Sequence, residues 1–206
     1  MPALGHLVRK TSRRLEYVGI GDARLESDLL WMTALGIDRP TLYARFPDSL
    51  TDIEADTAEE LIQRRLRREP IAYLMGKREF FGLDISIAPG VLIPRPETET
   101  VVEETLRLIE PIDSPTIADV GCGSGAISIA IAVNRPDATV FALDVSERAL
   151  QITAMNAEAH NVVDQVQILN SDLLASLASR QHVIVANLPY VMSHEIPTLE
   201  PEIRMF

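Results

Sequence analysis

The fold is decided by Thr116–Val133, which reads TIADVGCGSGAISIAIAV and places a glycine-rich turn between two apolar runs. The first run, Thr116–Val120, is rich in small and β-branched side chains, which is typical of a buried strand. The second run, Ala126–Val133, predicts an apolar helix that begins directly after the last glycine. A strand that leads through a glycine turn into a helix is a building unit of parallel α/β sheets.

Three more short apolar runs continue this pattern towards the C-terminus. The predicted strands are Thr139–Leu143, Gln165–Leu169 and His182–Ala186, and a helix that starts after Ser146 separates the first two. Short apolar strands that alternate with helices favour a parallel, doubly wound sheet. The sequence therefore predicts an α/β fold for this part of the chain.

The N-terminal part has the pattern of a small helical domain. Asp22 is predicted to cap one helix, and Thr51 with Glu54 forms a capping-box pair at the start of another. Pro70 is predicted to stop the second helix, which leaves the basic Arg64–Arg68 cluster near its C-terminus. The helix dipole favours positive charge there, and the same cluster is also compatible with a partner-binding patch.

Two short β-segments separate the helical part from the sheet. Glu79–Phe81 and Ile85–Ile87 are predicted to pair as a hairpin around a turn at Gly82–Asp84. A helix is then predicted to begin at Pro96 and to continue through Ile109. These boundaries predict a helical domain over residues 1–75, a hairpin linker over residues 76–95 and an α/β domain over residues 96–206.

The composition of the 206 residues is that of a globular protein, with 47% hydrophobic and 24% charged residues. The formal charge of −11 is uneven, because residues 91–206 carry 16 acidic and only 6 basic side chains. An acidic half disfavours a nucleic-acid surface, which needs Lys and Arg. The single cysteine excludes an internal disulfide, and the four scattered histidines have no metal-ligand spacing. The N-terminus lacks a secretory signal, so a cytoplasmic location is expected.

Candidate site residues follow the carboxyl ends of the predicted strands, where ligands bind in open α/β sheets. The first strand leads into Gly121-Cys122-Gly123-Ser124-Gly125, whose glycines let a ligand approach the backbone closely. The second strand is followed by Asp144, which can accept hydrogen bonds from ribose hydroxyls, and the third by Ser171 and Asp172. We interpret Cys122 as a small turn residue, since nothing nearby in the sequence would activate its thiol as a nucleophile.

The glycine loop alone does not select a cofactor. Together with Asp144 it also fits a relaxed dinucleotide fingerprint, so nicotinamide binding stays open at this step. A glycine turn that only packs a helix against a strand is the structural alternative.

The segment Asn187-Leu188-Pro189-Tyr190 favours a different chemistry. A side-chain amide oxygen and a backbone carbonyl beside an aromatic ring suit a planar –NH2 group, which can donate two hydrogen bonds while stacking on the ring. Pro189 restricts the backbone and helps to keep the Leu188 carbonyl directed outwards. This segment therefore favours binding of a planar –NH2 group.

These motifs together resemble class I S-adenosylmethionine-dependent methyltransferases, and most closely the release-factor glutamine N5-methyltransferases (the PrmC/HemK family). The resemblance covers nearly the whole chain. It is carried by the helical N-terminal part and by the segments EPIAYLMGKREFFGLDISIAPGVLIPRPETE, IADVGCGSG, FALDVS, NSDLL and ANLPY. Of these, LIPRPETE is the most specific to the family, whereas DVGCGSG indicates only the superfamily.

The resemblance implies that S-adenosyl-L-methionine donates a methyl group to the glutamine of the Gly-Gly-Gln motif in class I peptide-chain release factors. It implies that Gly121–Gly125 cradle the methionine part, beside Asn187, that Asp144 holds the ribose, and that Asp172 with Leu173 holds the adenine. Asn187 and Leu188, with Pro189 and Tyr190, would bind the glutamine amide. The helical domain would hold the release factor, and no general base is indicated.

Two departures from the family pattern keep alternatives open. Leu188 replaces the usual proline and gives a spelling familiar from rRNA adenine N6-dimethyltransferases, so an adenine-N6 methyltransferase acting on RNA or DNA is the second hypothesis. The family sheet has seven strands, and this sequence carries about four of them. A truncated cofactor-binding fragment with an exposed sheet edge is therefore the third hypothesis.

Overall fold

The computed structural model describes residues 2–188 and 202, which fall into two compact units. Among the described residues, the first unit comprises residues 2–75 with Glu202, and the second comprises residues 76–188. The chain passes from one unit to the other between Met75 and Gly76, where the sequence changes from a helical to a hairpin pattern.

The first unit is helical over its described residues. Its helices are α1 (Leu4–Tyr17), α2 (Ala23–Leu35), α3 (Arg39–Ala44), α4 (Asp52–Leu66) and α5 (Ile71–Met75). They bury a shared apolar core that includes Leu15, Leu30, Trp31 and Ile62. This core explains why the N-terminal helices form, because burial of an amphipathic face stabilises a helix more than propensity does.

The start of α4 is fixed by the predicted capping box. The Thr51 hydroxyl accepts a hydrogen bond from the Glu54 backbone N–H at 3.2 Å, and the Glu54 carboxylate accepts one from the Thr51 N–H at 2.9 Å. Asp22 does precede α2 as predicted, but the described residues show no side-chain cap from it. The chain enters α2 at Asp22 with φ −93° and ψ 37°, away from the extended backbone usual at a capping residue.

Three arginines of the Arg64–Arg68 cluster at the end of α4, namely Arg64, Arg65 and Arg68, form ion pairs within the first unit. The Arg65 side chain is only 5% exposed, and its guanidinium lies 2.6 Å from a Glu26 carboxylate oxygen and 3.1 Å from Glu202. Arg68 also lies 3.1 Å from Glu202. The interpretation from the helix dipole was therefore incomplete, since Arg65 is a buried, paired charge and not a solvated one.

The second unit begins with a hairpin of β1 (Lys77–Phe80) and β2 (Leu83–Ser86). Phe80 pairs with Leu83, so the turn consists of Phe81 and Gly82, with φ of 53° and 75°. The turn predicted at Gly82–Asp84 was therefore placed too late. Two-residue hairpin turns favour positive φ at both positions, and a bulky aromatic residue gives no sign in the sequence that it adopts one.

Asn156 fastens this hairpin to the glycine loop. Its buried amide accepts a hydrogen bond from the Ser86 N–H at 2.8 Å and donates to the carbonyls of Ser86 and Ser124, at 3.0 and 2.8 Å. The hairpin turn is held separately, because the Phe81 N–H donates to a Glu99 carboxylate oxygen at 3.0 Å. The hairpin is thus held by Asn156 and by Glu99, the last residue of LIPRPETE.

A four-stranded parallel sheet forms the rest of the second unit. Its strands are β3 (Thr116–Val120), β4 (Thr139–Asp144), β5 (Val166–Asn170) and β6 (Val183–Ala186), in the order β5-β4-β3-β6. After a short 3₁₀ turn (Pro96–Thr98), helices α6 (Glu99–Ile109), α7 (Ala126–Asn134) and α8 (Glu147–Ala159) pack on these strands. The predicted α/β class is confirmed, and each predicted strand lies within one residue of its observed bounds.

The strand order creates a switch point between β3 and β6. From β3 the chain moves to β4 and β5 on one side, and then returns to place β6 on the other side of β3. Ligands bind at such points, beyond the carboxyl ends of the strands. Among the described residues, no helix is long and apolar enough to span a membrane.

Candidate active site

The glycine loop leaves β3 in a conformation that requires glycine. Gly121, Gly123 and Gly125 have φ of 71°, 58° and 77°. The N–H groups of Gly121 and Cys122 both donate to the carbonyl of Leu143, at 2.8 and 3.0 Å. The loop therefore runs beside the end of β4 and turns directly into α7.

Two of these glycines also lie too close to neighbours to carry a side chain. A Cβ atom on Gly121 would lie 2.5 Å from Leu188 Cδ2, and one on Gly125 would lie 2.7 Å from Thr153 Cγ2. Thr153 is held in turn, because its hydroxyl donates to the Gly123 carbonyl at 3.2 Å. At Gly123 the space is open within 4 Å, so only the positive φ favours glycine there.

Asp119 lies beneath the loop and is fully buried in β3. Its carboxylate accepts hydrogen bonds from the Ser128 hydroxyl at 2.6 Å and from the Ser128 N–H at 3.2 Å. Burial raises the pKa of Asp119 to about 6, against the lowering effect of these two bonds. Burial and the nearby Asp119 charge also raise the pKa of Cys122 to about 12, which disfavours a reactive thiolate.

The Asp144 carboxylate binds backbone on both sides of the site. One oxygen accepts a hydrogen bond from the Gly123 N–H at 3.0 Å, and the other accepts from the Ser146 N–H at 2.9 Å. The Ser146 hydroxyl then caps α8 by accepting from the Ala149 N–H at 3.3 Å. Each carboxylate oxygen can accept more than one bond, so Asp144 keeps capacity for ligand hydroxyls. Its role in holding the glycine loop was not evident from the sequence.

A tight turn after β5 presents Asp172 and Leu173. The Ser171 hydroxyl donates to the Leu173 carbonyl at 2.9 Å and accepts from the Ser176 N–H at 3.1 Å. Leu173 adopts a φ of 50°, which is uncommon for a residue with a Cβ atom, and its side chain is 56% exposed. The turn thus holds an apolar side chain at the surface, where it can contact a planar ligand.

Asn187 and Leu188 follow β6 and lie at the switch point. The Asn187 side-chain N–H donates to the Thr98 hydroxyl at 3.1 Å, and Leu188 reaches Gly121. Pro189 and Tyr190, which the sequence also predicts to belong to the site, lie outside the described residues.

These segments enclose one cavity of about 380 Å³, which is large enough for a cofactor. The predicted site residues that line it are Gly121, Cys122, Gly123, Ser124, Asp144, Asp172, Leu173, Asn187 and Leu188. Gly125 does not line it and packs against Thr153 instead. The lining residues that sequence reasoning missed include Leu92, Pro94, Thr98, Val145 and Ser146. The first three belong to LIPRPETE, and the specificity of that motif was the signal that could have indicated them.

Comparison with known protein families finds two matches along the chain. Residues 6–76 match the family described as the PrmC N-terminal domain, and residues 101–200 match the methyltransferase small domain. The chain spans 65–70% of the length of the three relatives compared next.

All three relatives are release factor glutamine methyltransferases. The protein of Moorella thermoacetica is 39% identical over 98% of this chain and 70% of its own length. That of Geobacter sulfurreducens is 38% identical over 91% and 65%, and that of Burkholderia pseudomallei is 42% identical over 87% and 65%. The comparisons favour methyl transfer over the nicotinamide alternative for the glycine loop. By its sequence along nearly all its length, this chain belongs to the release factor glutamine methyltransferase family.

Proposed function

We propose that the chain transfers a methyl group from S-adenosyl-L-methionine to the side-chain amide nitrogen of glutamine in the Gly-Gly-Gln motif of class I release factors. The observation that carries the proposal is a shared cavity. Asn187 and Leu188, which can accept hydrogen bonds from a planar –NH2 group, line the same cavity as Gly121, Gly123 and Asp144.

The residues around this cavity fit the cofactor. At Gly123 no atom lies within 4 Å of the position that a Cβ atom would take, so its backbone is open to close approach by the methionine part. Asp144 keeps acceptor capacity for ribose hydroxyls, and Leu173 with Asp172 borders the region proposed for adenine. S-adenosyl-L-methionine supplies an activated methyl group on a sulfonium centre.

The chain's own contribution to the reaction is positioning. An amide nitrogen is a poor nucleophile because its lone pair is delocalised, so close and aligned approach must lower the barrier. We infer that Asn187 Oδ1 and the Leu188 carbonyl accept hydrogen bonds from the two N–H groups of the glutamine amide. Pro189 and Tyr190 would complete the site. The amide nitrogen would receive the methyl group that S-adenosyl-L-methionine supplies, S-adenosylhomocysteine would be the other product, and one amide proton would pass to solvent. The dipoles of the Asn187 side-chain carbonyl and the Leu188 backbone carbonyl favour the positive charge that develops on the amide nitrogen.

We infer that the helical domain over residues 1–75 holds the release factor and that residues 76–95 link it to the methyltransferase domain over residues 96–206. The acidic character of residues 91–206, with 16 acidic against 6 basic side chains, disfavours direct nucleic-acid binding. A translation factor as substrate fits a location in the cytoplasm.

Mass spectrometry of a release factor incubated with the chain and S-adenosyl-L-methionine tests this function. Asn187→Ala should abolish the gain of one methyl group while leaving S-adenosylhomocysteine binding intact. Asn134→Ala is the matched control, because Asn134 bonds to the Ala130 carbonyl within α7 and does not line the cavity. Methylation of adenine in RNA or DNA, but not of the release factor, would contradict the proposal.

A further inference from the structure

We infer that Thr98 is a positioning residue for Asn187, holding its side-chain amide so that Oδ1 faces the cavity. The inference rests on the proposed function and deepens it. Thr98 Oγ1 lies 3.1 Å from Asn187 Nδ2, and both residues line the cavity. They are 89 residues apart in the chain, so the bond joins the segment LIPRPETE to the segment that follows β6.

The chemistry of the amide explains why this contact matters. An asparagine side chain has one donor end and one acceptor end, and a substrate –NH2 group needs the acceptor. When Thr98 takes the donor end, the oxygen is left for the substrate. Without the hydroxyl, the amide can rotate about its last side-chain bond, and an outward Nδ2 would oppose the substrate N–H groups.

Thr98 is itself held rigidly enough to serve this role. It ends the 3₁₀ turn Pro96–Thr98, and its N–H donates to the Arg95 carbonyl at 3.0 Å. The next residue, Glu99, begins α6 and accepts the bond from the Phe81 N–H in the hairpin turn. A supporting residue fixed by its own backbone can hold a reactive side chain within the narrow range that catalysis needs.

Thr98→Val tests the inference, because it removes the hydroxyl and keeps the size and branching of the side chain. We expect kcat for methyl transfer to fall about tenfold, the loss expected for one hydrogen bond. The dissociation constant of S-adenosylhomocysteine should change less than about twofold, since the bond acts on the substrate side. Thr98→Ser should restore kcat.

Thr105→Val is the matched control. Thr105 lies on α6, the helix that follows Thr98, but its hydroxyl donates to the Val101 carbonyl at 2.7 Å and does not reach the cavity. This variant should keep the kcat of the unchanged protein. A Thr98→Val variant with unchanged kcat, or a Thr98→Ser variant as impaired as Thr98→Val, would overturn the inference.

The side-chain amide of Asn187 gives a readout that needs no substrate. The two NMR signals of its side-chain NH2 group are identified by their loss in Asn187→Ala. This pair of signals should shift in Thr98→Val and return to its original position in Thr98→Ser. An unshifted pair in Thr98→Val would overturn the inference whatever the activity. If the pair shifts as expected but the unchanged chain methylates no release factor, the proposed function fails while the orientation of Asn187 by Thr98 stands.

Discussion

The two walls of the cavity are built in different ways. The wall proposed for the cofactor is local: glycines with positive φ follow β3, and the Asp144 carboxylate ties Gly123 to the start of α8 through backbone N–H groups. The wall proposed for the substrate includes a side-chain contact across 89 residues, between Thr98 and Asn187. The first wall is thus built from the ends of neighbouring strands, whereas the second includes a contact between segments that lie far apart in the chain.

Gly125→Ala should damage the cofactor wall most. It combines a φ of 77° with a Cβ atom 2.7 Å from a Thr153 side chain that is itself hydrogen-bonded. The left-handed conformation and the overpacking should together lower the free energy of unfolding by about 3 to 4 kcal/mol. Gly123→Ala, where space is open, should cost only about 1 to 2 kcal/mol. Urea unfolding of both variants measures the difference, and equal losses would contradict the packing argument.

Asp119 should give this wall a pH-dependent stability. Its folded pKa of about 6 exceeds its ordinary value of 3.8, so the folded chain binds the proton more tightly than the unfolded chain does. Stability therefore falls as pH rises through this window, by about 3 kcal/mol at most. Unfolding free energies measured from pH 4 to 7 should show this fall relative to Asp119→Asn, which cannot titrate. Parallel curves for the two proteins would show that the burial of Asp119 carries no such cost.

Asp144→Asn should weaken the cofactor wall and leave the substrate wall unchanged. An asparagine has only one acceptor end, so the Gly123 or Ser146 N–H would face a second donor, at a cost of about 2 kcal/mol in unfolding free energy. Calorimetry should show weaker binding of S-adenosylhomocysteine, while the NMR signals of the Asn187 side-chain amide stay in place. A shift of those signals would mean that the two walls are coupled.

Leu188→Ala should have the smallest effect. The proposal uses only the backbone carbonyl of Leu188, a residue that is 40% exposed and whose side chain contacts Gly121. The substitution should change the free energy of unfolding by less than about 1 kcal/mol and keep methyl transfer. A loss of transfer comparable with that of Asn187→Ala would show that the side chain itself shapes the substrate site.

The same contrast explains what the sequence could predict. The four strands of the sheet were predicted within one residue, because strands buried in a parallel sheet read as continuous apolar runs. The glycine loop and Asp144 were identifiable because they directly follow such strands. The turn at Phe81–Gly82 was misplaced, because the positive φ of Phe81 is imposed by pairing between β1 and β2.

Contacts between segments that lie far apart in the chain could not be predicted from the sequence. Arg65 is buried against Glu26, 39 residues away, and Asn187 bonds to Thr98. No pattern in the sequence around these residues predicts either contact. Polar side chains of this kind look like surface residues until the fold brings their partners together. The family motif LIPRPETE indicated that residues 92–99 matter, but not that Thr98 reaches the site.

We expect the cavity at the switch point between β3 and β6 to bind the methyl-donating cofactor. Calorimetric titration of the 206-residue chain with S-adenosylhomocysteine, and separately with NAD, tests this expectation most directly. We expect saturable binding of S-adenosylhomocysteine at one site per chain and no heat of binding with NAD. Binding of NAD alone, or of neither ligand, would contradict this expectation.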